Sequence, residues 1–84
     1  MNYNIAFKKS VYKDLSRLSK TEAKRILDKI EKDLPSAAVK CPVLKGKFKG
    51  LRKYRIGSYR IIFAILDDQI LILRIDHRKE IYKK

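Results

Sequence analysis

The chain has 84 residues, of which 22 are Lys or Arg and 9 are Asp or Glu, so its formal net charge is +13. A chain of this length has room for one small core, and residues 1–84 are therefore predicted to form a single domain. Apolar residues make up 45% of the chain, which excludes a disordered basic tail, and the excess of positive charge predicts a polyanionic partner.

Cysteine content and the hydropathy pattern exclude several other classes of protein. Cys41 is the only cysteine, so an intramolecular disulfide and a four-cysteine metal site are both excluded. The longest apolar run, Ile61 to Leu66, is far shorter than the ~20 residues that cross a bilayer. Residues 1–5 also lack the basic and then apolar layout of a signal peptide. We expect a cytoplasmic protein that uses no metal or cofactor and contacts no membrane.

The first half of the chain predicts one strand followed by two helices. Residues 1–7 alternate apolar and polar side chains, with Tyr3, Ile5 and Phe7 on one side, which is typical of a strand. Apolar residues then recur at helical spacing and predict an amphipathic helix that ends near Leu18. They are Phe7, Val11, Leu15 and Leu18.

A capping box begins the second predicted helix. The Ser19 hydroxyl can accept a hydrogen bond from the Glu22 amide, while the Glu22 side chain reaches back to the Ser19 amide. Pro35 is expected to close this helix, because proline lacks the amide hydrogen that helix propagation needs. Two helices so close in sequence predict an antiparallel helical hairpin. The apolar face of the second helix consists of Ala23, Ile26, Leu27, Ile30 and Leu34.

The second half of the chain predicts a loop and then three strands. Residues 36–49 contain Pro42, Gly46 and alternating lysines, which are typical of a loop. A glycine first in the two-residue connection 57–58 suits a type II′ turn, whereas Asp-Asp at 67–68 is a weaker turn. The strands are predicted at Leu51–Ile56, Tyr59–Leu66 and Gln69–Asp76. The predicted fold is α+β with the order β-α-α-β-β-β, in which a two-helix hairpin packs on one face of a mainly antiparallel four-stranded sheet.

Positive charge is concentrated on one face of the first predicted β-hairpin. The segment Leu34–Leu66 contains no Asp or Glu and eight Lys or Arg residues. A turn at 57–58 places Arg55 opposite Arg60, puts Lys53 on the same face and leaves the apolar face for the helices. Like charges that face each other across a sheet are unfavourable by on the order of 0.2–1 kcal/mol. The arrangement therefore indicates a bound anion, and phosphate is the obvious candidate because guanidinium groups bind its oxygens bidentately.

Three motifs follow one another in the second half of the chain. They are Leu44-Lys45-Gly46, the segment from Arg52 to Phe63 and the ending from Asp76 to Tyr82. Together with the β-α-α-β-β-β order, they resemble the RelE/ParE toxin superfamily of bacterial toxin–antitoxin systems over the whole chain, and imply a RelE-like toxin domain. The RelE branch implies a metal-independent, ribosome-dependent endoribonuclease, an mRNA interferase that cuts mRNA in the ribosomal A site and so inhibits translation. Cleavage in that branch proceeds by attack of the RNA 2′-hydroxyl on the adjacent phosphate.

The same resemblance implies the site residues and the partners. One catalytic arginine of the RelE branch matches Arg78 in the tail, and a shift of the tail alignment by one residue would place Lys79 at that position instead. The implied partners are ribosomal RNA and mRNA, together with a cognate antitoxin that covers or distorts the site, and operator DNA is met only through that antitoxin. The positions that match the catalytic residues of the RelE branch are Lys53, Arg55, Arg60, Arg78 and Tyr82.

Metal-free RNA cleavage needs a base for the 2′-hydroxyl, cations for the charge that develops on phosphorus and help for the leaving oxygen. We assign Tyr82 as the general base, because surrounding cations favour its phenolate and lower its pKa from the usual value of about 10. Arg60 and Arg78 are assigned as clamps on the phosphate, and Lys53 with Arg55 as activating or neutralising groups. His77 is the alternative base, since the pKa of histidine suits the task.

Alternatives also exist for the function as a whole. The ParE branch shares the fold, lacks the nuclease residues and inhibits DNA gyrase by binding it. The second hypothesis is therefore a gyrase inhibitor without nuclease activity. A plain RNA-binding module is the third, weakened because the chain lacks a stacking row of aromatic side chains among its cations. Contacts that track the RNA backbone are predicted at Lys45, Lys47, Lys49 and Arg52.

Overall fold

The order of elements in the structure is the order that the sequence predicts. The computed structural model describes residues 3–44 and 50–77. The elements are β1 (Asn4–Phe7), α1 (Lys9–Ser16), α2 (Lys20–Ala37), a 3-10 turn (Ala38–Lys40), β2 (Arg52–Ile56), β3 (Tyr59–Leu66) and β4 (Gln69–His77). The α+β class is confirmed, and the three carboxy-terminal strands differ from their predicted ends by at most one residue.

The four strands form one sheet in the order β1-β4-β3-β2, so that β2 is an edge strand and β4 lies inside the sheet. The β2–β3 and β3–β4 pairs are antiparallel, whereas β1 runs parallel to β4. Parallel neighbours cannot be joined by a tight turn, and here both helices and two strands separate them in the chain. The sheet is therefore mainly antiparallel, as predicted.

Both helices pack against one face of the sheet, and the core lies between them. Helix α1 contributes Val11, which has no exposed surface, and each fully buried aliphatic side chain of this kind contributes about 1.5–3 kcal/mol of transfer free energy. The other fully buried large side chains are Ile26, Ile30, Leu34, Ile61, Phe63, Ile70 and Ile72. We call the opposite side of the sheet, which carries the cations of the hairpin, the outer face. No helix in the described part of the chain is long and apolar enough to cross a membrane.

The amino-terminal cap of α2 is formed as predicted, with one difference. The Ser19 hydroxyl accepts a hydrogen bond from the Glu22 amide at 3.1 Å. Among the described residues, the Glu22 carboxylate bonds to the Arg25 guanidinium at 2.8 Å instead of reaching back to the Ser19 amide. An i,i+3 ion pair on an exposed helix surface competes well with a second capping bond, because both contribute only tenths of a kcal/mol to about 1 kcal/mol.

The expectation that Pro35 closes α2 is wrong, because the helix continues to Ala37. Proline removes one amide donor, the one that would bond to the carbonyl of Glu31, and Glu31 lies on an exposed part of the helix where water can take that role. The bond at the end of the helix is intact, since the Ala38 amide donates to the Leu34 carbonyl. A proline in the last turn therefore weakens this helix without ending it.

A register shift in the β3–β4 pair decides which side chains of β4 reach the outer face. Phe63 pairs with Ile72, but the preceding residue, Ile62, pairs with Arg74, so β4 has one extra residue at this point. A shift of one residue exchanges the two faces of a strand. Beyond this bulge, Arg74 and Asp76 therefore lie on the outer face.

The turn at 57–58 depends on a backbone conformation that favours glycine. Gly57 has a φ of +58°, and Ser58 is not among the described residues with positive φ, as a type II′ turn requires. In the turn at 67–68, Asp67 also has a positive φ, +57°, although it carries a side chain.

Replacing Gly57 by Ala is expected to lower the free energy of unfolding by about 1 kcal/mol. The cause is backbone strain, because a Cβ at this position would be 3.7 Å from the nearest atom, an Arg25 nitrogen, which is an ordinary contact. Urea unfolding monitored by circular dichroism measures the change. Asp67→Gly is the matched control and is expected to raise the free energy, since it removes a side chain from a positive φ; an equal effect of both substitutions would contradict the explanation.

Candidate functional site

Three of the predicted catalytic cations lie together on the outer face. Arg55 is directly opposite Arg60, and Lys53 is opposite Ile62, which is the register that the turn predicts. The neighbouring residues Ile56 and Tyr59 point the other way and are buried in the core. The hairpin thus fixes the positions of the three cations, and the apolar residues between them hold the hairpin on the helices.

A cavity of about 410 Å³ is lined by all three cations. Ala37 at the end of α2 and the helix-side residue Tyr59 also line it, so the cavity is bounded by residues from both sides of the sheet. A cavity of this size lies within the range of sites that bind small organic ligands. The cations therefore line a concave site that is open to a ligand.

Arg60 is the residue that connects this cavity to a second one. The second cavity, of about 540 Å³, lies along the outer face and is lined by Arg60, Arg74 and Asp76 among others. The Nε atom of Arg60 is shielded from solvent and has no hydrogen-bond partner in the described part of the chain. An unpaired buried donor costs on the order of 1–3 kcal/mol, so this Nε is a candidate to donate to an acceptor outside the described residues.

The cations of the hairpin are not neutralised within the described residues. The ion pairs there join Arg25 to Glu22, Lys29 to Asp33, and Arg74 to both Asp14 and Asp76. None of these ion pairs involves a cation of the hairpin. Arg55 and Arg60 therefore face each other without an acidic partner in an ion pair within the described residues. The outer face therefore presents uncompensated positive charge at fixed positions, which attracts anions.

Arg52, which was predicted to contact the RNA backbone, makes contacts within the protein. Because it is opposite Phe63, it lies on the helix side of the sheet. Its Nη1 donates to the Cys41 carbonyl at 2.8 Å and to the Val39 carbonyl at 3.4 Å, which fastens the connection between α2 and β2. The Cys41 thiol is 8% exposed, and burial raises its pKa, with the nearby Arg52 guanidinium lowering it in part. Cys41 is therefore a small core residue.

His77 lies on the opposite side of the sheet from the three cations. It pairs with Tyr59 across the β3–β4 ladder, and the two rings meet edge to face with centroids 4.8 Å apart at an angle of 84°. Since Tyr59 faces the helices, His77 does too. Tyr59 also lines the cavity of the three cations, whereas His77 is not among the residues that line it. The remaining predicted site residues lie outside the described residues; they are Lys45, Lys47, Lys49, Arg78, Lys79 and Tyr82.

Sequence reasoning missed a buried acid that connects α1 to the outer face. Among the described residues, Asp14 is the only buried charged residue, with 8% of its surface exposed. It accepts hydrogen bonds from Arg74 Nε at 3.0 Å, from Arg74 Nη2 at 3.2 Å and from the Ile75 amide at 2.9 Å. The signal was present, because Asp14 interrupts the apolar helical pattern between Val11 and Leu15.

The position of Asp14 follows from the way α1 covers β4. Strand β1 pairs with β4 only as far as Ile72, and beyond that point α1 lies beside the strand. The Lys8 amide donates to the Ile72 carbonyl at 2.9 Å, and the Ser10 hydroxyl donates to the Leu73 carbonyl at 2.8 Å. Further along β4, the Ile75 amide donates a hydrogen bond to the Asp14 carboxylate. The hydrogen bond to Asp14, supported by the charge of Asp76, raises the pKa of Arg74, so Arg74 stays charged.

Replacing Asp14 by Ala is expected to lower the free energy of unfolding by about 2–3 kcal/mol, because the Ile75 amide and the Arg74 guanidinium both lose their acceptor. Thermal and urea unfolding measure the loss. Asp33→Ala is the matched control, since Asp33 pairs with Lys29 at 3.5 Å on the surface of α2 and is expected to change stability by less than about 0.5 kcal/mol. A similar small effect for both would show that the Asp14 contacts do not stabilise the fold.

The residues of the outer face fit a polyanionic ligand better than a metal ion. Within residues 3–44 and 50–77, no group of three His, Cys, Asp or Glu side chains lies close enough to hold a metal ion. The cations instead supply hydrogen-bond donors at fixed positions, which suit a negatively charged ligand.

Comparison with known proteins gives consistent matches over nearly the whole chain. The family model described as the ParE toxin of a type II toxin–antitoxin system, parDE, matches residues 5–82. The putative toxin RelE1 of Methanocaldococcus jannaschii is 34% identical over 89 residues, covering 99% of this chain and 98% of the relative. The toxin RelG of Mycobacterium tuberculosis is 28% identical over 87 residues, covering 100% of both. A chain of the solved toxin–antitoxin complex RelBE2 from M. tuberculosis has a TM-score of 0.85 and 26% identity, covering 93% of this chain and 100% of that chain.

Proposed function

This chain belongs to the RelE/ParE superfamily of toxins of type II toxin–antitoxin systems, and we propose that it is a ribosome-dependent endoribonuclease that cleaves mRNA in the A site. The observation that carries the proposal is the pairing of Arg55 with Arg60 on the outer face, with Lys53 lining the same cavity. Folding alone does not favour this pairing, since like charges that face each other across a sheet destabilise it. A phosphate placed between the two guanidinium groups removes the penalty.

In the proposed reaction, the RNA 2′-hydroxyl attacks the adjacent phosphate. The base removes the 2′-hydroxyl proton, the 2′-oxygen forms a bond to phosphorus, and the bond from phosphorus to the 5′-oxygen breaks. The products are a 2′,3′-cyclic phosphate and a 5′-hydroxyl, whose oxygen takes up a proton. Arg60 and Arg78 bind the non-bridging oxygens, and Tyr82 is the base, with the roles of both tail residues resting on the family resemblance. Lys53 and Arg55 neutralise the charge that grows on the oxygens.

The base assignment has support from the fold. His77 contacts Tyr59 on the helix side of the sheet, and it does not line the cavity that Lys53, Arg55 and Arg60 share. A general base must come within hydrogen-bond reach of the proton that it removes. We therefore propose Tyr82 as the base on the family resemblance, with His77 as the alternative.

The partners follow from charge and from the relatives. A net charge of +13 fits binding to ribosomal RNA, which positions the mRNA and lowers the entropic part of the barrier. Lys45, Lys47 and Lys49 are proposed to contact that RNA. A cognate antitoxin neutralises the toxin by covering the outer face; the solved RelBE2 relative is a toxin–antitoxin complex, and the same charge favours an acidic partner.

Primer extension on mRNA bound to programmed ribosomes tests the proposal. Purified protein is expected to give discrete cuts within the A-site codon, and the same mRNA without ribosomes is expected to be cut poorly. Arrested translation with intact mRNA would overturn the proposal. A second function, inhibition of DNA gyrase, is favoured by the match to the ParE family model. A gyrase supercoiling assay with the same preparation tests it, and loss of supercoiling without mRNA cleavage would place the chain in that branch.

A further inference from the structure

We infer that Arg74 is a positioning residue, which holds the Asp76 carboxylate away from Arg60 and so keeps the Arg60 guanidinium available to the substrate phosphate. The inference rests on the proposed function and adds a residue to the same site. It is carried by the contacts of Arg60, Arg74 and Asp76 on the outer face.

Arg60 and Asp76 are placed where an ion pair is expected. They are directly opposite each other on β3 and β4, and both line the second cavity. Directly opposite residues have Cβ atoms about 4.5–5.5 Å apart, well within reach of a guanidinium and a carboxylate. The described residues nevertheless contain no ion pair between them, and Arg60 Nε has no hydrogen-bond partner there.

Asp76 is engaged by Arg74 instead. Its Oδ1 atom lies 3.2 Å from Arg74 Nη2. Arg74 is itself held in place, because its Nε and Nη2 donate to the two oxygens of Asp14, which is fixed by the Ile75 amide. The orientation of Arg74 is thus determined by a buried acid on α1, and Arg74 determines that of Asp76.

A carboxylate at this position matters because it competes with the substrate. Asp76 is the only acidic residue in the four described strands, and it lies on the face that carries the cations. A carboxylate and a phosphate use the same pair of guanidinium donors, so an Arg60–Asp76 pair would have to break before phosphate binds. By binding Asp76, Arg74 removes the competitor without removing the charge.

Substitution of Arg74 and its rescue by a change at Asp76 test the inference. Arg74→Gln frees Asp76 to bind Arg60 and is expected to lower kcat for cleavage on programmed ribosomes by about tenfold, the equivalent of one strong ion pair. Adding Asp76→Asn removes the freed carboxylate and is expected to restore kcat to within about threefold of the parent chain. Asp76→Asn alone is expected to leave cleavage unchanged.

The rescue separates a positioning role from a structural one. Asp76→Asn cannot restore the lost contact between residue 74 and Asp14, so a purely structural effect of Arg74→Gln would persist in the double variant and overturn the inference. Wild-type activity of Arg74→Gln alone would also overturn it. If circular dichroism shows that Arg74→Gln does not fold, Asp76→Glu decides. The longer carboxylate reaches Arg60 with Arg74 present, and several-fold slower cleavage supports the inference, whereas unchanged cleavage overturns it.

A binding measurement keeps this test independent of the proposed function. Affinity for a short fluorescein-labelled single-stranded RNA is measured by anisotropy at fixed salt, without ribosomes. Arg74→Gln is expected to weaken binding several-fold and the double variant to restore it. If the parent chain fails to cleave on ribosomes, the nuclease proposal is lost, and the anisotropy result alone decides whether Arg74 keeps Arg60 open to phosphate; equal affinities for all variants would overturn that.

Discussion

Replacing Arg60 by Gln is expected to reduce mRNA cleavage on programmed ribosomes by about 10²–10³-fold, the usual loss when one preorganised donor to the transition-state charge is removed. Arg60 lines both cavities, is opposite Arg55, and has an Nε with no partner in the described part of the chain. The substitution therefore removes a group that the fold leaves available. Single-turnover cleavage at saturating ribosomes measures the loss in the chemical step.

The same substitution is expected to leave stability unchanged or to increase it. It removes the like-charge pair with Arg55, which is worth on the order of 0.2–1 kcal/mol. Arg25→Gln is the matched control, because it removes the same charge from α2, where Arg25 pairs with Glu22 at 2.8 Å on the exposed surface. It is expected to cleave nearly as well as the parent chain. Equal activity of the two variants would show that net charge, and not the position of Arg60, governs cleavage.

Replacing Tyr82 by Phe is expected to reduce the cleavage rate by about 10²–10⁴-fold, the range for loss of a general base. The change removes one oxygen and keeps the ring, so any packing of the ring is retained. A plot of rate against pH for the parent chain, set beside that of the variant, measures the contribution of the phenol. The parent is expected to gain activity as the phenolate forms, and the variant is expected to lack that rise.

His77→Gln is the companion variant to Tyr82→Phe. Because His77 contacts Tyr59 on the helix side of the sheet, its loss is expected to change stability more than cleavage. If His77→Gln abolished cleavage while Tyr82→Phe retained it, the base assignment would be reversed. That result would also require the sheet to present His77 to the substrate in the ribosome-bound state.

The β2–β3 hairpin and its charged face can be derived from the sequence. Gly57 in a two-residue connection fixes the β2–β3 register through local backbone sterics, and period-two alternation then places Arg55 opposite Arg60. Both causes act within a few residues, so both can be derived from the chain alone. The Ser19 cap was predictable for the same reason. The ending of α2 was not, since a proline in a last turn costs one bond that water replaces.

Which acidic side chains lie near those cations depends on tertiary packing. The β3–β4 register changes by one residue between Ile62 and Phe63, and this places Asp76, in place of Ile75, opposite Arg60. A strand with apolar residues at both alternations gives no local preference for either face, so the choice came from packing Ile75 in the core at 5% exposure. The same packing placed α1 beside the uncovered edge of β4, where the Ile75 amide needs an acceptor and Asp14 supplies it.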